Sequence, residues 1–499
     1  MKRRPLLALL PLLAAALVAP GGPATGAATS NAERAATSDS PLRLWMPSRV
    51  VVQDGGRGRV HAMLGIQLIA QNAPFELWSQ RADYDSPIVT EWRNGTSRVQ
   101  LPAGTMKDFS GLRRFVTLTV TDRDGTRVER STKKACLASW APQRITPTAV
   151  ATSPYPRWCP YHRYTLGSVQ GIPQDHAIPL EVNRSFALEP GRYRVEARIK
   201  PSLADVLGIS RADATATSTM VVPKPEKEHD HGGHHHGEDS MPMRDASREL
   251  QPAATRPSED RAGAPVGPLP DLRSLPAFEI SLNPKQTQLR FGATVWNGGT
   301  SPLVIDGFRS SQDESTMDSY QYFYDAEGEQ TGYQRVGSMT YHGANHNHWH
   351  YEDVAEYSLV DTDKQPVARS RKVSFCLVNT DAVDMTGPGA DWVQGVDDLG
   401  SMCGDTGALA VRQQLSAGHG DTYYQFRAGQ AISLKGVPNG TYYLKISANP
   451  YQRLVESDVA NNDSYRKIRL VGKPGQRRVV VPALGRIVEP SMQGAGPKG

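Results

Sequence analysis

Residues 346–350 read His346-Asn347-His348-Trp349-His350, three imidazoles at every second position. Successive side chains on an extended strand point to opposite faces, whereas rings at this spacing on a helix fan apart. The segment therefore predicts a strand, with His346, His348 and His350 on one face and Asn347 and Trp349 on the other. Neutral imidazoles are ligands for copper or zinc, and three of them leave a coordination position for water, oxygen or substrate. A histidine-rich surface loop and a closed structural zinc site are the alternatives at this point.

The rest of the chain also reads as strands. From Leu42 to Val222 short β-rich runs alternate with turn residues, as in Val50-Val51-Val52, Phe115 to Val120 and Tyr193 to Ile199. The last run alternates apolar with polar, as a half-buried strand does. Asp122, Asp124 and Gly125 supply a turn after the second. The pattern resumes from Leu272 to Val471, with Leu289 to Trp296, Lys372 to Val378 and Tyr442 to Ile446, punctuated by Asn297-Gly298-Gly299 and Pro438-Asn439-Gly440. At 499 residues the chain exceeds what one core serves, since cores stop growing at about 250 to 300 residues. The expectation is an all-β protein with a β-sandwich-like domain over residues 42–222 and a second β-rich domain over 269–472.

Between them, residues 223–268 are rich in Pro, Gly, Ser, Glu and Lys and almost devoid of aromatic side chains. Such a stretch buries too little apolar surface to offset its ordering entropy, so it reads as a disordered linker. Within it stand His229, His231, His234, His235 and His236, followed by Met241 and Met243. Imidazole and thioether suit copper, and a solvated polar tract that takes up metal adventitiously fits equally well. The tail over 473–499 is expected to be flexible.

The chain opens with Lys2-Arg3-Arg4, an apolar run from Leu6 to Ala19, and small residues from Ala24 to Ala28, the order of a signal peptide over 1–28. The Arg3-Arg4 pair fits twin-arginine export as well as the general route. The apolar run is shorter than the ~20 residues of a spanning helix, so no membrane span is expected. Cys136 and Cys159 fall in one half and Cys376 and Cys403 in the other, which points to one disulfide per domain in an oxidising compartment. Net charge is +5 without a dense Lys/Arg stripe, so nucleic acid is not an expected partner.

The surroundings of the histidines narrow the reading. His346 to Asp361 resembles the copper-binding signature of the lysyl oxidase family, in which alternating histidines run into a stretch like Glu352-Asp353, Glu356-Tyr357 and Leu359-Val360-Asp361. Arg371 to Leu377 looks like the family segment holding the lysine of its self-made cofactor, and Gly420-Asp421-Thr422-Tyr423 looks like its tyrosine segment. Leu289-Arg290-Phe291 with Asn297, Gly299, Thr300 and Ser301 resembles the approach to the copper loop, and Pro438 to Ile446 resembles the closing strand. Five segments in the family's order are more specific than any one of them; they cover roughly residues 269–470 and say nothing of the first domain.

The resemblance implies a secreted copper amine oxidase with His346, His348 and His350 as copper ligands and Lys372 and Tyr423 as precursors of lysine tyrosylquinone. That cofactor's carbonyl would accept a primary amine, peptidyl lysine or a small amine, to yield aldehyde, ammonia and hydrogen peroxide. Asp353 is a candidate for the proton-abstracting base or for a residue orienting a histidine. Only Cys376 and Cys403 stand in the catalytic half, where animal members carry more cysteines, and an insertion around Asp381 to Gly404 changes the spacing between the lysine and tyrosine segments. Both departures leave groove shape and substrate preference open.

In the family, a segment like Glu456-Ser457-Asp458 with Asn461-Asn462 pairs with one like Pro270-Asp271-Leu272 around calcium. The resemblance thus implies a calcium site formed by Asp271, the carbonyl of Leu272, Glu456, Asp458, Asn461 and Asn462, whose hard oxygen donors suit that ion. Two rival readings are a non-catalytic copper-binding or storage protein and an envelope structural protein. Neither needs Lys372 together with Tyr423.

Overall fold

The computed structural model describes residues 38–54, 59–180, 184–224, 255–342, 347–370, 374–392, 403–427, 429–473 and 475–487. The signal-peptide residues 1–28, the histidines from 229 to 236 with Met241 and Met243, and the site candidates His346 and Lys372 lie outside the described residues. Inside them the chain is all-β as expected, with one α-helix, Pro201–Val206, whose proline stands in the first turn, where no backbone N–H is needed. No helix among the described residues is long and apolar enough to cross a membrane.

In the first half, strand Gly191–Ile199 buries Tyr193, Val195, Ala197 and Ile199, the alternating apolar set of its sequence. Leu112–Thr121 and Thr215–Val222 flank it antiparallel, so that Val195 stands opposite both Val120 and Ser218. Arg127–Ala135 and Arg49–Val51 complete a five-stranded sheet. Phe115, Leu118, Val195 and Met220 of this sheet share one core with Leu42, Leu44, Leu68, Phe75 and Leu77 of two four-stranded sheets. Each such Leu or Phe side chain contributes roughly 1.5–3 kcal/mol by leaving water. The expected turn forms at Asp122, whose carboxylate accepts the N–H groups of Asp124 and Thr126 at 3.0 and 2.8 Å. A disulfide joins Cys136 to Cys159.

The second half has three sheets around a separate core that includes Phe291, Met339, Trp349, Tyr357, Leu444 and Ile468. One sheet runs in the order 261–263, 330–342, 316–324, 303–308, 410–415, with His348–Tyr351 added beside 330–342. Another centres on Gln288–Asn297, which pairs with His419–Tyr423 on one side and Leu272–Ser274 on the other. The third runs 366–369, 355–360, 440–448, 463–471, 478–480. Strand Arg261–Gly263 lies within the compositional linker, and Arg478–Val480 lies within the tail. Glycine explains the first. Gly263 has φ +69°, a Cβ on it would stand 2.2 Å from the Thr331 carbonyl oxygen, and one on Gly332 would stand 2.6 Å from that of Ala262. Bare backbone on both strands permits the close approach that side chains would block.

The two cores are joined across the insertion. Leu166 N–H donates to the Val383 carbonyl at 2.6 Å and Met385 N–H to that of Gly167 at 3.1 Å, while the Thr165 hydroxyl donates to the Ala382 carbonyl at 3.0 Å. Tyr164 packs with Phe278, Trp296 and Val383, and Tyr155 with Ala382 and Met385. Asp39–Gly499 accordingly form one compact unit.

Candidate active site

The histidine segment is one arm of a hairpin. Gln330–His342 and His348–Tyr351 pair antiparallel, with His342 opposite His348 and Thr340 opposite His350. Asn347 enters the second arm at φ +55°, a conformation that asparagine tolerates, and its N–H donates to the His342 carbonyl at 2.8 Å. Strand alternation then sorts the side chains. Trp349 is buried on one face, its indole N–H donating to the Asp405 carbonyl at 2.8 Å, with the Arg309 guanidinium 4.7 Å from its ring. His348 and His350 lie together, ring centres 4.8 Å apart, and His350 is 1% exposed.

A third described imidazole joins them from the facing strand. His342 stacks on His350 with 4.3 Å between ring centres. Its Nε2 is 3.8 Å from a Glu352 oxygen and 3.4 Å from the Ser374 hydroxyl, which also lies 3.4 Å from Nδ1 of His350. Stacked rings turn faces rather than nitrogens toward one another, and among the described residues no group of three His, Cys, Asp or Glu converges to hold a metal ion. The alternation at 346–350 could not select His342, because its place depends on cross-strand register. A histidine four residues before His346 was the available signal.

Ser374 to Leu377 run as a seam between the histidine strand and the strand of Tyr423. Phe375 and Tyr351 exchange backbone hydrogen bonds at 3.0 and 2.7 Å. Cys376 N–H donates to the Tyr423 hydroxyl oxygen at 3.3 Å. Leu377 N–H donates to the Gln413 side-chain oxygen at 3.0 Å, and the amide nitrogen of Gln413 donates to the Trp349 carbonyl at 3.0 Å. The Cys376–Cys403 disulfide reinforces the seam, because Trp349 N–H donates to the Cys403 carbonyl at 2.8 Å. Each half thus holds one disulfide, as expected.

Tyr423 ends the strand His419–Tyr423, opposite Ala293, and meets the edge of Phe375 with ring centres 4.5 Å apart. Burial pushes its phenol well above the ordinary tyrosine range, and the charge of Asp421 adds to the effect. Asp421, itself buried, is two residues before Tyr423 and so on the same strand face. The sequence reading missed it as a site residue, although the two-residue spacing on a strand carried the signal. Asp353, the candidate base, instead pairs with the Arg453 guanidinium at 2.5 Å, at a backbone φ of +63°.

The proposed calcium ligands come together where the start of strand Leu272–Ser274 meets the 456–462 loop. The Glu456 carboxylate accepts Leu272 N–H at 2.7 Å and the side-chain amides of Asn449 and Asn462 at 2.6 and 2.8 Å. Asn461 donates to Asp271 at 3.0 Å and to Asp458 at 3.0 Å. Burial raises the Glu456 pKa, and the hydrogen bonds it accepts oppose that rise. The side-chain oxygens of Asn461 and Asn462 are buried with no hydrogen-bond partner, a costly state for an acceptor unless a cation takes it up.

Residues 333–478 match the model of the lysyl oxidase family. Over 129 residues the chain is 33% identical to protein-lysine 6-oxidase of Sus scrofa, a match covering 26% of this chain and 45% of that protein. At the same identity and over the same number of residues it is similar to the protein-lysine 6-oxidases of Homo sapiens and Gallus gallus, 27% of each being covered. The chain therefore spans less than half the length of these curated relatives. The match begins inside strand Gln330–His342, so Gln288–Asn297, which pairs with the Tyr423 strand, precedes it. The stretch that is similar to the lysyl oxidase family thus contains the histidine hairpin from Tyr333 onward, the seam and Tyr423.

Proposed function

We propose that this protein is an exported copper-dependent amine oxidase, with copper held by His346, His348 and His350 and a lysine tyrosylquinone made from Lys372 and Tyr423. One observation carries the reading. Within four residues after Lys372 the chain touches His350 through Ser374 and the Tyr423 hydroxyl through Cys376. The donor set fits copper, being imidazole nitrogen, with the His350 ring buried beside the Ser374 hydroxyl. When present, the metal supplies oxygen-dependent oxidation of the tyrosine ring, and the resulting cofactor supplies a carbonyl for a primary amine.

The remaining steps fall to the chain itself. Cys376 N–H fixes the phenol oxygen, Phe375 walls the ring from water, and burial keeps the phenol protonated until it is needed. Asp421 places a carboxylate beside the ring, and it is a better candidate than Asp353 for receiving a proton there, because Asp353 is engaged with Arg453. Calcium would be held by Asp271, the Leu272 carbonyl, Glu456, Asp458, Asn461 and Asn462, a reading supported by the two unpaired amide oxygens.

The test is peptide mapping after aerobic copper loading. A covalent link between the peptides containing Lys372 and Tyr423 is expected. Its absence from copper-replete, aerated protein would remove the oxidase reading and favour copper storage.

A further inference from the structure

A solvent-open dish of about 650 Å³ lies beside the turn that follows Tyr423. Among the described residues its lining includes Arg290, Arg369, Arg427, Phe426 and Gln430, with three guanidinium groups and no carboxylate. Ser370, also on its wall, is the last described residue before the segment containing Lys372, and its hydroxyl donates to the Gly429 carbonyl at 3.1 Å. On the other side, Arg427 N–H donates to the Tyr424 carbonyl at 3.0 Å, closing the turn after Tyr423. The dish thus lies beside the turn after Tyr423 and reaches Ser370, two residues before Lys372 in the sequence.

Its chemistry is selective. Three like charges around one concavity hold a positive potential, and guanidinium forks match carboxylates in two-point hydrogen bonds. Of the three, Arg369 is near a carboxylate among the described residues, Glu356 at 3.6 Å, and that carboxylate is not part of the lining. Phe426 stands 74% exposed at the rim, stacked on Tyr424 at 5.9 Å with the Arg427 guanidinium 5.5 Å from its ring. An exposed aromatic beside arginine is the combination that anchors protein partners. A small amine would use neither the volume nor the aromatic.

We propose that this dish binds the residues flanking a peptidyl lysine and selects segments in which aspartate or glutamate neighbours that lysine. The proposal rests on the oxidase reading for the identity of the reacting group, but not for the binding itself. Exposed ion pairs contribute about 0.5 kcal/mol each, so two or three of them amount to roughly a tenfold preference.

Calorimetric titration of the full-length, copper-free protein tests it with lysine peptides flanked by glutamate, glutamine or lysine. Glutamate-flanked peptide should bind about tenfold tighter than its glutamine counterpart in low salt. In an Arg290→Gln/Arg427→Gln double variant with unchanged circular dichroism the advantage should shrink to about twofold or less. Equal binding of the three peptides, or an advantage that survives the double variant, overturns the proposal. So does a sulfated polysaccharide that displaces the peptide at these arginines with higher affinity, since the dish would then serve another polyanion. Because no cofactor is involved, a protein lacking the Lys372–Tyr423 link could still bind acidic peptide, so failure of the oxidase reading is told apart from failure of this one.

Discussion

The Tyr423 hydroxyl accepts a hydrogen bond from Cys376 N–H at 3.3 Å and donates to the Cys376 carbonyl at 3.4 Å, contacts that an apolar replacement cannot make. Tyr423→Phe preserves the ring against Phe375 and leaves that buried N–H unpaired, at a cost of about 1–3 kcal/mol. The variant should fold, bind copper like the wild type, and lose both quinone absorbance and reaction with phenylhydrazine. Amine oxidation persisting in it would remove Tyr423 from the cofactor. The buried phenols also set a pH limit. Tyr351, Tyr357 and Tyr423 all have pKa values raised by burial, whereas in the unfolded chain a phenol ionises near pH 10. Above about pH 10 the unfolded state gives up protons that the folded state retains, so stability is full below that point and falls as pH rises. Urea melts between pH 8 and 11 should show the decline, and Tyr357→Phe should make it shallower; an unchanged slope would show that Tyr357 ionises freely in the fold. At this scale the sequence was legible where spacing alone decides orientation, as for His348, His350 and Trp349. It was silent on His342 and on the Asp353–Arg453 pair, which exist through register and a turn.

Strands were legible wherever alternation was strong, as in Gly191–Ile199, and hidden where pairing depends on bare backbone, as in Arg261–Gly263. Composition cannot foresee the latter, because the same glycines that mark a linker also allow the close strand approach. The link between Leu272–Ser274 and the 456–462 loop is a further case, since Glu456 accepts the Leu272 N–H 184 residues away along the chain. If calcium occupies the oxygen cluster there, it ties strand Leu272–Ser274 to the loop that leads into strand Asp463–Val471. Bound ion would then stabilise the fold by about 2.7 kcal/mol at a hundredfold excess over its dissociation constant. Calcium returned alone to chelated protein should raise the melting temperature, and Asp458→Ala should abolish that rise. Equal shifts in wild type and variant would place the calcium effect elsewhere.

Nothing in the sequence of either half announces that the two meet, because the contacts join residues more than two hundred positions apart, such as Thr165 and Ala382. The insertion around Asp381 to Gly404, read in the sequence as a change of spacing, is where the first half docks. The docking also has consequences for the site, since Asp381 and Ala382 pair with Gly420 and His419 on the strand that ends at Tyr423. Arg163 and Glu279 add a half-buried ion pair at 3.1 Å, and Tyr164 and Phe278 an edge-to-face ring contact at 6.3 Å. An interface of backbone hydrogen bonds and buried apolar side chains should make the halves unfold together, whereas a smaller polar one would let them melt separately. Gly167 is the place to separate them. A Cβ there would lie 2.1 Å from the Asp384 carboxylate and 2.3 Å from the Thr386 hydroxyl, so Gly167→Val must push the 384–386 segment away from strand Gly167–Ile172. Scanning calorimetry should give one transition for the wild type. The variant should give two, with the lower one accompanied by binding of a hydrophobic dye as Tyr164, Phe278 and Val383 come into water. A wild type that already melts in two steps, or a variant that keeps a single unshifted one, would mean that the docked surface does not couple the halves.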